Sequence, residues 1–182
     1  MRGAGRDRRV AGGVLAALLV TVATQAHASM WISQSGRNPA AGIGDGKGSS
    51  VSVTCQAGRD PVYVLVVRGP AKGLKPGRGV KAVIEGRRRV SFRFDSARLD
   101  PGGIIQLTSR GGYRGSTGDQ SGTLEAIEAI TTARGPITVT VGGLRFSVSS
   151  MGVRWAMAPL IKTCGDLKTA IRRAEGREGE LN

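Results

Sequence analysis

The stretch from Gly135 to Cys164, GPITVTVGGLRFSVSSMGVRWAMAPLIKTC, constrains the fold of this chain more than any other. Pro136 cannot continue a helix, so whatever precedes it must end there. Ile137, Val139 and Val141 then alternate with Thr138, Thr140 and Gly142, the period of a half-buried strand. Gly142-Gly143 suits a two-residue hairpin turn. Leu144, Phe146 and Val148 alternate with Arg145, Ser147 and Ser149, which predicts a second strand with one apolar and one wet face. Ser149 or Ser150 can cap a following helix. In it Gly152, Ala156, Leu160 and Cys164 are four apart, and a step of four drifts only about 40° around an α-helix. They form one slowly twisting stripe, small residues first, so close approach to a sheet is expected at Gly152. Met151 and Trp155 flank the stripe, and Pro159 should kink the helix.

The same periodicity recurs upstream. Val51, Val53 and Cys55 alternate with Ser52 and Thr54, a strand that ends on a cysteine. Val62 to Arg68, VYVLVVR, reads as a central strand buried on both faces. Val80 to Ile84 and Arg88 to Phe94 read as two strands joined near Glu85-Gly86, with Val90, Phe92 and Phe94 inward and Arg89, Ser91 and Arg93 outward. Asp100 to Gly103 is a turn, and Ile104, Ile105 and Leu107 lie in a further strand. Ser109 to Gly122 reads as a Gly/Ser-rich loop, disordered on the simpler reading, in which Tyr113, between Arg110 and Arg114, is the feature that could grip a ligand. Thr123 can cap a helix to about Ala133, with Leu124, Ile127 and Ile130 on its apolar side and Glu125 and Glu128 near its N-terminal end. Asp166 can cap a last helix carrying Leu167, Ala170, Ile171 and Ala174 on one side, before a frayed GREGELN end. With 29 glycines and only 4 % aromatics, the core must be mostly aliphatic and the elements short. The expectation is a mainly β (α+β) chain: an antiparallel β-sandwich over residues 51–164 with two short covering helices. A flexible segment, 29–50, precedes it and a helix or tail, 165–182, follows. Trp31, in the first of these, reads as a core or edge anchor. The AAGIGDGKG run beyond it lacks the glycine spacing needed to cradle phosphates.

Residues 1–28 read as a secretory signal peptide. Arg2, Arg6, Arg8 and Arg9 precede an apolar run from Val10 to Ala23, and Ala26-His27-Ala28 is a small-x-small cleavage site. The run is short for a membrane span, and no other stretch is long and apolar enough, so no anchor is expected after cleavage. Ser29 rather than cysteine would begin the mature chain, which speaks against a lipoprotein anchor. Export, periplasmic or secreted, places the two cysteines where disulfides persist, and Cys55–Cys164 is the economical pairing; free thiols or pairing between chains are the alternatives.

A strand followed by Gly-x3-Ala-x3-Leu-x3-Cys, here Phe146, Val148, Gly152, Ala156, Leu160 and Cys164, resembles the C-terminal end of small periplasmic proteins of the VasI/TagO kind. Those proteins accompany type VI secretion systems. Cys55 at the end of a strand and the early Trp31 fit the same resemblance, which covers about the last third of the chain. It implies a part in secretion or cell-envelope assembly. Pro159 and the tail after Cys164 depart from the pattern.

The sole histidine, His27, falls within the removable segment, so the mature chain has none. That excludes Ser-His-Asp and Cys-His machinery and His-containing zinc sites, and no metal or cofactor is expected. No CxxC pair serves disulfide exchange, and no SxxK motif serves a serine–lysine hydrolase. Asp95 and Asp100, and Glu125 and Glu128, are the carboxylates that a glycosidase would have to set across a cleft. Surface roles are the simpler reading of them. The net charge is +14, or +11 once residues 1–28 are removed, because four Arg and one Asp leave with them. Such a balance favours anionic partners. Lys81, Arg87, Arg89 and Arg93 are the candidate anion-binding patch. Export, and the lack of exposed aromatics among these cations, argue against nucleic acid. The chain thus reads as a non-enzymatic exported binding or accessory protein of the cell envelope, partnered by another envelope protein or an anionic ligand. An anion-binding module for acidic lipid or polyanion is the first alternative. An inhibitor of a wall-degrading enzyme is the second, though its positive charge suits basic lysozymes poorly as targets.

Overall fold

The computed structural model describes residues 30–77, 79–112 and 119–180, the last four of these by backbone alone. The expected signal peptide, and Tyr113 with Arg114, lie outside the described residues. Ten strands and three helices are present among them, in the order β1 Ile32–Gln34, β2 Ala40–Gly44, β3 Ser50–Gln56, β4 Val62–Pro70, β5 Val80–Glu85, β6 Arg89–Phe94, β7 Ser96–Leu99, β8 Ile104–Gly111, α1 Gln120–Thr131, β9 Ile137–Val141, β10 Leu144–Val148, α2 Val153–Cys164 and α3 Leu167–Glu180. They form two antiparallel sheets in a sandwich-like arrangement, one with strand order β1-β2-β3-β4-β8-β7 and one with order β10-β9-β5-β6.

Alternation puts the apolar set of each strand on one face. In the six-stranded sheet Val51, Val53 and Cys55 stand opposite Val67, Leu65 and Tyr63, and Leu107 stands opposite Val67 on the far side. All seven are buried. β4 is central, as its apolar run predicts, with Val62, Tyr63, Val64 and Leu65 all buried. In the four-stranded sheet the inward set is Ala82, Ile84, Val90, Phe92, Phe94, Ile137, Val139, Val141, Leu144, Phe146 and Val148.

The sequence predicts helices covering the outside of the sandwich, and α1 corrects this. It touches β4 and β8 of one sheet and β5 and β6 of the other, so it is wedged between the layers. Gly122, Thr123, Leu124, Ala126, Ile127, Ala129, Ile130 and Thr131 are all buried. At 100° per residue these cover the helix on every side except a narrow stripe of Ser121, Glu125, Glu128 and Thr132. The short side chains of Ala126 and Ala129 make this possible, because they let two sheets approach one helix. The cap is corrected too. Asp119, not Thr123, caps α1 by accepting from Gly122 N–H. The hydroxyl of Thr123 bonds Asp119 O and meets Ser109 Oγ of β8 in the core.

Three further expectations change. Of the expected flexible segment 29–50, the described part, 30–50, is built into the fold, since β1 and β2 extend the sheet there and Trp31 is fully buried. Trp31 Nε1 donates to Ser149 O at 2.9 Å and its backbone N–H donates to Met151 O at 3.1 Å. This indole joins the first described residues to the end of β10, satisfying its polar edge while burying its rings. The segment 109–122 is shorter as a loop than its composition suggests, because β8 runs to Gly111 and α1 starts at Gln120. Neither Ser149 nor Ser150 caps α2. Gly152 does so in the left-handed region at φ 77°, where an added Cβ would sit 3.0 Å from Met30 Cγ. Its close approach is thus to the N-terminal segment rather than to a sheet.

The predicted disulfide is formed. Cys55 and Cys164 are bonded across 109 residues with Cα atoms 5.8 Å apart, and both are buried. It ties β3 to the end of α2. Beside it Tyr63 donates its hydroxyl to Gly165 O, the residue that closes α2. Burial, and then the nearby Asp166, hold the Tyr63 phenol well above its ordinary range. Asp166 caps α3 as its sequence predicts, accepting from Thr169 N–H. Leu167 and Ala174 are buried, and α3 packs on α1 and continues to Glu180 rather than fraying at residue 176.

Candidate functional site

The outward face of the four-stranded sheet is set by register. Lys81 stands opposite Arg93, Val83 opposite Ser91 and Glu85 opposite Arg89. Val83 also faces Thr140 and Glu85 faces Thr138. Arg145 faces Thr140 and Ser147 faces Thr138 on the edge strand. The resulting surface carries Lys81, Arg89, Arg93 and Arg145, all exposed, around a neutral centre of Val83, Ser91 and Thr140. Glu85 is the carboxylate on it, and Arg89 Nε lies 3.6 Å from Glu85 Oε1. An open groove of about 500 Å³ lies on this face, lined by Lys81, Val83, Ser91, Arg93, Thr140 and the carboxylate-bearing Asp119 among others. One oxygen of Asp119 is engaged in capping α1.

Three of the four residues expected in the patch, Lys81, Arg89 and Arg93, are therefore on one surface. The fourth, Arg87, is not. It lies in the three-residue turn between β5 and β6, where its backbone N–H donates to Ala129 O of α1 at 3.2 Å. Arg88 next to it is also diverted, to Glu125 at 3.2 Å and Glu128 at 2.9 Å. Sequence reasoning missed Arg145. Its alternation with Leu144 and Phe146 showed that it points to water, but only the pairing of β9 with β5 shows that this water-facing side is the same one.

Directly opposed like charges on a sheet are destabilising, so the Lys81–Arg93 pair is a local cost. An anion lodged between the two cations would convert repulsion into attraction, and the hydroxyls of Ser91 and Thr140 can donate to its oxygens. Several other carboxylates serve the fold. Asp100 Oδ1 accepts from Ile104 N–H at 2.8 Å within its turn. Glu125 and Glu128 hold Arg88. Asp45 Oδ1 accepts from Lys47 N–H and Ser49 N–H, so the amides of the glycine-rich β2–β3 turn are already taken by a carboxylate. Among the described residues no three His, Cys, Asp or Glu side chains group so as to hold a metal ion.

The class defined here is a disulfide-closed, two-sheet protein built around a buried helix, with opposed cations on the outer face of its four-stranded sheet. Comparison of the chain with family models, with characterised proteins and with solved structures returned no match in any of the three.

Proposed function

We propose that the chain is an exported, non-enzymatic binding protein of the cell envelope that holds an acidic partner on the outer face of its four-stranded sheet. The observation that carries this reading is the opposed Lys81–Arg93 pair, flanked by Arg89 and Arg145 over an open groove. The buried disulfide supports the export half of it, since such bonds persist in oxidising compartments. Among the described residues no helix is long and apolar enough to cross a membrane.

The test is titration of the mature chain, residues 29–182, with inorganic polyphosphate at stepped salt. Binding should weaken as salt rises, because the cations are exposed and screened. Changing Lys81, Arg89, Arg93 and Arg145 to Ser should weaken it by about tenfold or more. A control changes Lys47, Arg59, Arg98 and Arg172 to Ser and removes the same charge from elsewhere. Equal losses in both variants would mean that net charge alone attracts the polyanion, and the sheet-face reading falls.

A narrower reading, a part in secretion, rests on the resemblance at Trp31, Cys55, Phe146, Val148, Gly152, Ala156, Leu160 and Cys164. A pull-down of the mature protein from the envelope, identified by mass spectrometry, should recover a secretion component. Recovery of none removes that reading and leaves the sheet-face reading standing.

A further inference from the structure

A second surface, distinct from the basic sheet face, is apolar. Among the described residues five large hydrophobic side chains are exposed: Met30, Ile32, Leu99, Met151 and Trp155. Four of the five lie on two short segments, residues 30–32 and 151–155, which the backbone bond from Trp31 to Met151 brings together. Met30 lies against Gly152 at the start of α2. Trp155, 69 % exposed, is on the first turn of that helix. An indole left in water at this level is an observation that asks for a partner.

The surroundings of Trp155 specify the partner. The outward side of α2 carries Arg154, Trp155, Ala158 and Lys162, all exposed, and the helix has no acidic residue. An indole with methionines beside it and cations on the same helix face is the combination that settles at the boundary of an anionic bilayer, with the ring at headgroup level and the cations on lipid phosphates. The chain's own course points the same way. The apolar run Val10–Ala23 ends seven residues before Met30, so during export the membrane lies at this end of the protein. Cleavage after Ala28 would leave the Ser29 α-amino group, another cation, beside Met30. A second copy fits less well. A two-fold contact through Trp155 brings Arg154 and Lys162 toward their own copies, with no carboxylate on the helix to offset them.

We infer that Met30, Met151 and Trp155 form a peripheral membrane-docking patch that inserts at the surface of an anionic bilayer, steered by Arg154 and Lys162. The inference rests on the export half of the proposed function and not on the basic sheet face. The experiment mixes the mature chain with phosphatidylglycerol–phosphatidylethanolamine vesicles whose acyl chains carry bromine. Trp31 is fully buried, so contact quenching reports Trp155. Trp155 emission should shift to the blue and be quenched, while phosphatidylcholine vesicles leave it unchanged. Trp155→Ala should weaken co-sedimentation about tenfold at an unchanged melting temperature. Arg154→Ser with Lys162→Ser should remove the preference for anionic lipid. Emission that stays unquenched in the lipid pellet overturns the inference. So does a blue shift without vesicles that grows with protein concentration, which would mark self-association. The four-residue sheet-face variant should keep its Trp155 quenching. Loss of quenching in that variant would move the membrane site to the sheet, and this inference falls with it.

Discussion

The two sheets grip the same helix by different means. The six-stranded sheet holds it from inside the core. Leu124 of α1 fits over Gly111, where an added Cβ would come within 2.6 Å of Leu124 Cγ. The Ser109 and Thr123 hydroxyls meet where no water reaches. A covalent bond then fixes β3 of that sheet to α2. The four-stranded sheet also packs β5 and β6 on α1, and it adds a polar grip at its rim through the β5–β6 turn. Gly86 lies against the Ala129 carbonyl, Arg87 N–H donates to it, and Arg88 spans Glu125 and Glu128. Their outer faces differ too. Both carry cations, Arg68, Arg98 and Arg110 among Ser52, Thr54, Val66 and Thr108 on one and Lys81, Arg89, Arg93 and Arg145 on the other, but among the described residues only the second sets two of them, Lys81 and Arg93, directly opposite each other. The sheet that carries internal repulsion is thus the one without a covalent tie. This separates a covalently closed frame from a face whose geometry can yield to what it binds.

The largest break in this comparison is loss of the disulfide. Closing a loop of 109 residues removes enough denatured-state entropy to be worth about 4–5 kcal/mol by chain-entropy arithmetic. The paired change Cys55→Ala and Cys164→Ala should cost close to that in a urea titration. Hydrogen exchange should accelerate first in β1 to β3 and α2, with α1, β5 and β6 following only at global unfolding. Uniform acceleration over the whole chain would show that the two attachments are not separate.

Next in size is the rim contact. A Cβ on Gly86 would lie 2.2 Å from Ala129 O, a backbone atom that cannot swing aside. Gly86→Ala should therefore cost about 2–3 kcal/mol, the upper range for forcing a methyl into a packed site. The damage should appear in β5, β6 and the C-terminal turn of α1. Gly58→Ala is the control, with open space around its Cβ, and should lie within about 0.5 kcal/mol of the parent. Equal costs at both positions would remove the turn from the account of how this sheet is held.

Where pattern and packing coincide, the fold was legible. β3 to β6, β8, β9 and β10 announce themselves through alternation, and two cysteines leave one internal pairing. β1 and β7 were hidden because they are short, and β2 because its apolar signal is weak. β2 is AAGIG, whose inward residues are only Ala41 and Ile43, too weak a signal against so many glycines. The position of α1 was hidden for a different reason. Leu124, Ile127 and Ile130 mark one apolar side, but alanine reads equally well as surface or core, so Ala126 and Ala129 gave no sign of a second sheet. Half of the candidate site follows from single-strand alternation, which places Arg89 and Arg93 outward. The other half depends on which strands become neighbours. That information brought Arg145 onto the face and took Arg87 off it, and it resides in register rather than in any local pattern.

The smallest effect tests the joint between the two regions. Asp95 sits between β6 and β7, where the chain leaves one sheet and enters the other. Its Oδ2 accepts from Arg110 N–H at 2.8 Å. Its Oδ1 is buried without a hydrogen-bond partner among the described residues. Burial raises the Asp95 pKa above the ordinary carboxylate range, with a smaller push from Asp119, against the opposing hydrogen bond and charge of Arg110. A carboxyl whose folded pKa is raised contributes stability that is fully present below its unfolded pKa of about 3.9. That contribution is lost as pH rises through the folded value. Asp95→Asn keeps an acceptor for Arg110 N–H and removes the charge, so it should lack this loss. Between pH 3 and pH 7 the variant should gain on the parent by less than about 1 kcal/mol, measured as the difference in urea midpoints. A variant that instead falls behind as pH rises would mean that the attraction of Arg110 outweighs burial. The crossing between the sheets would then be held by charge, as the rim of α1 is, and not by packing.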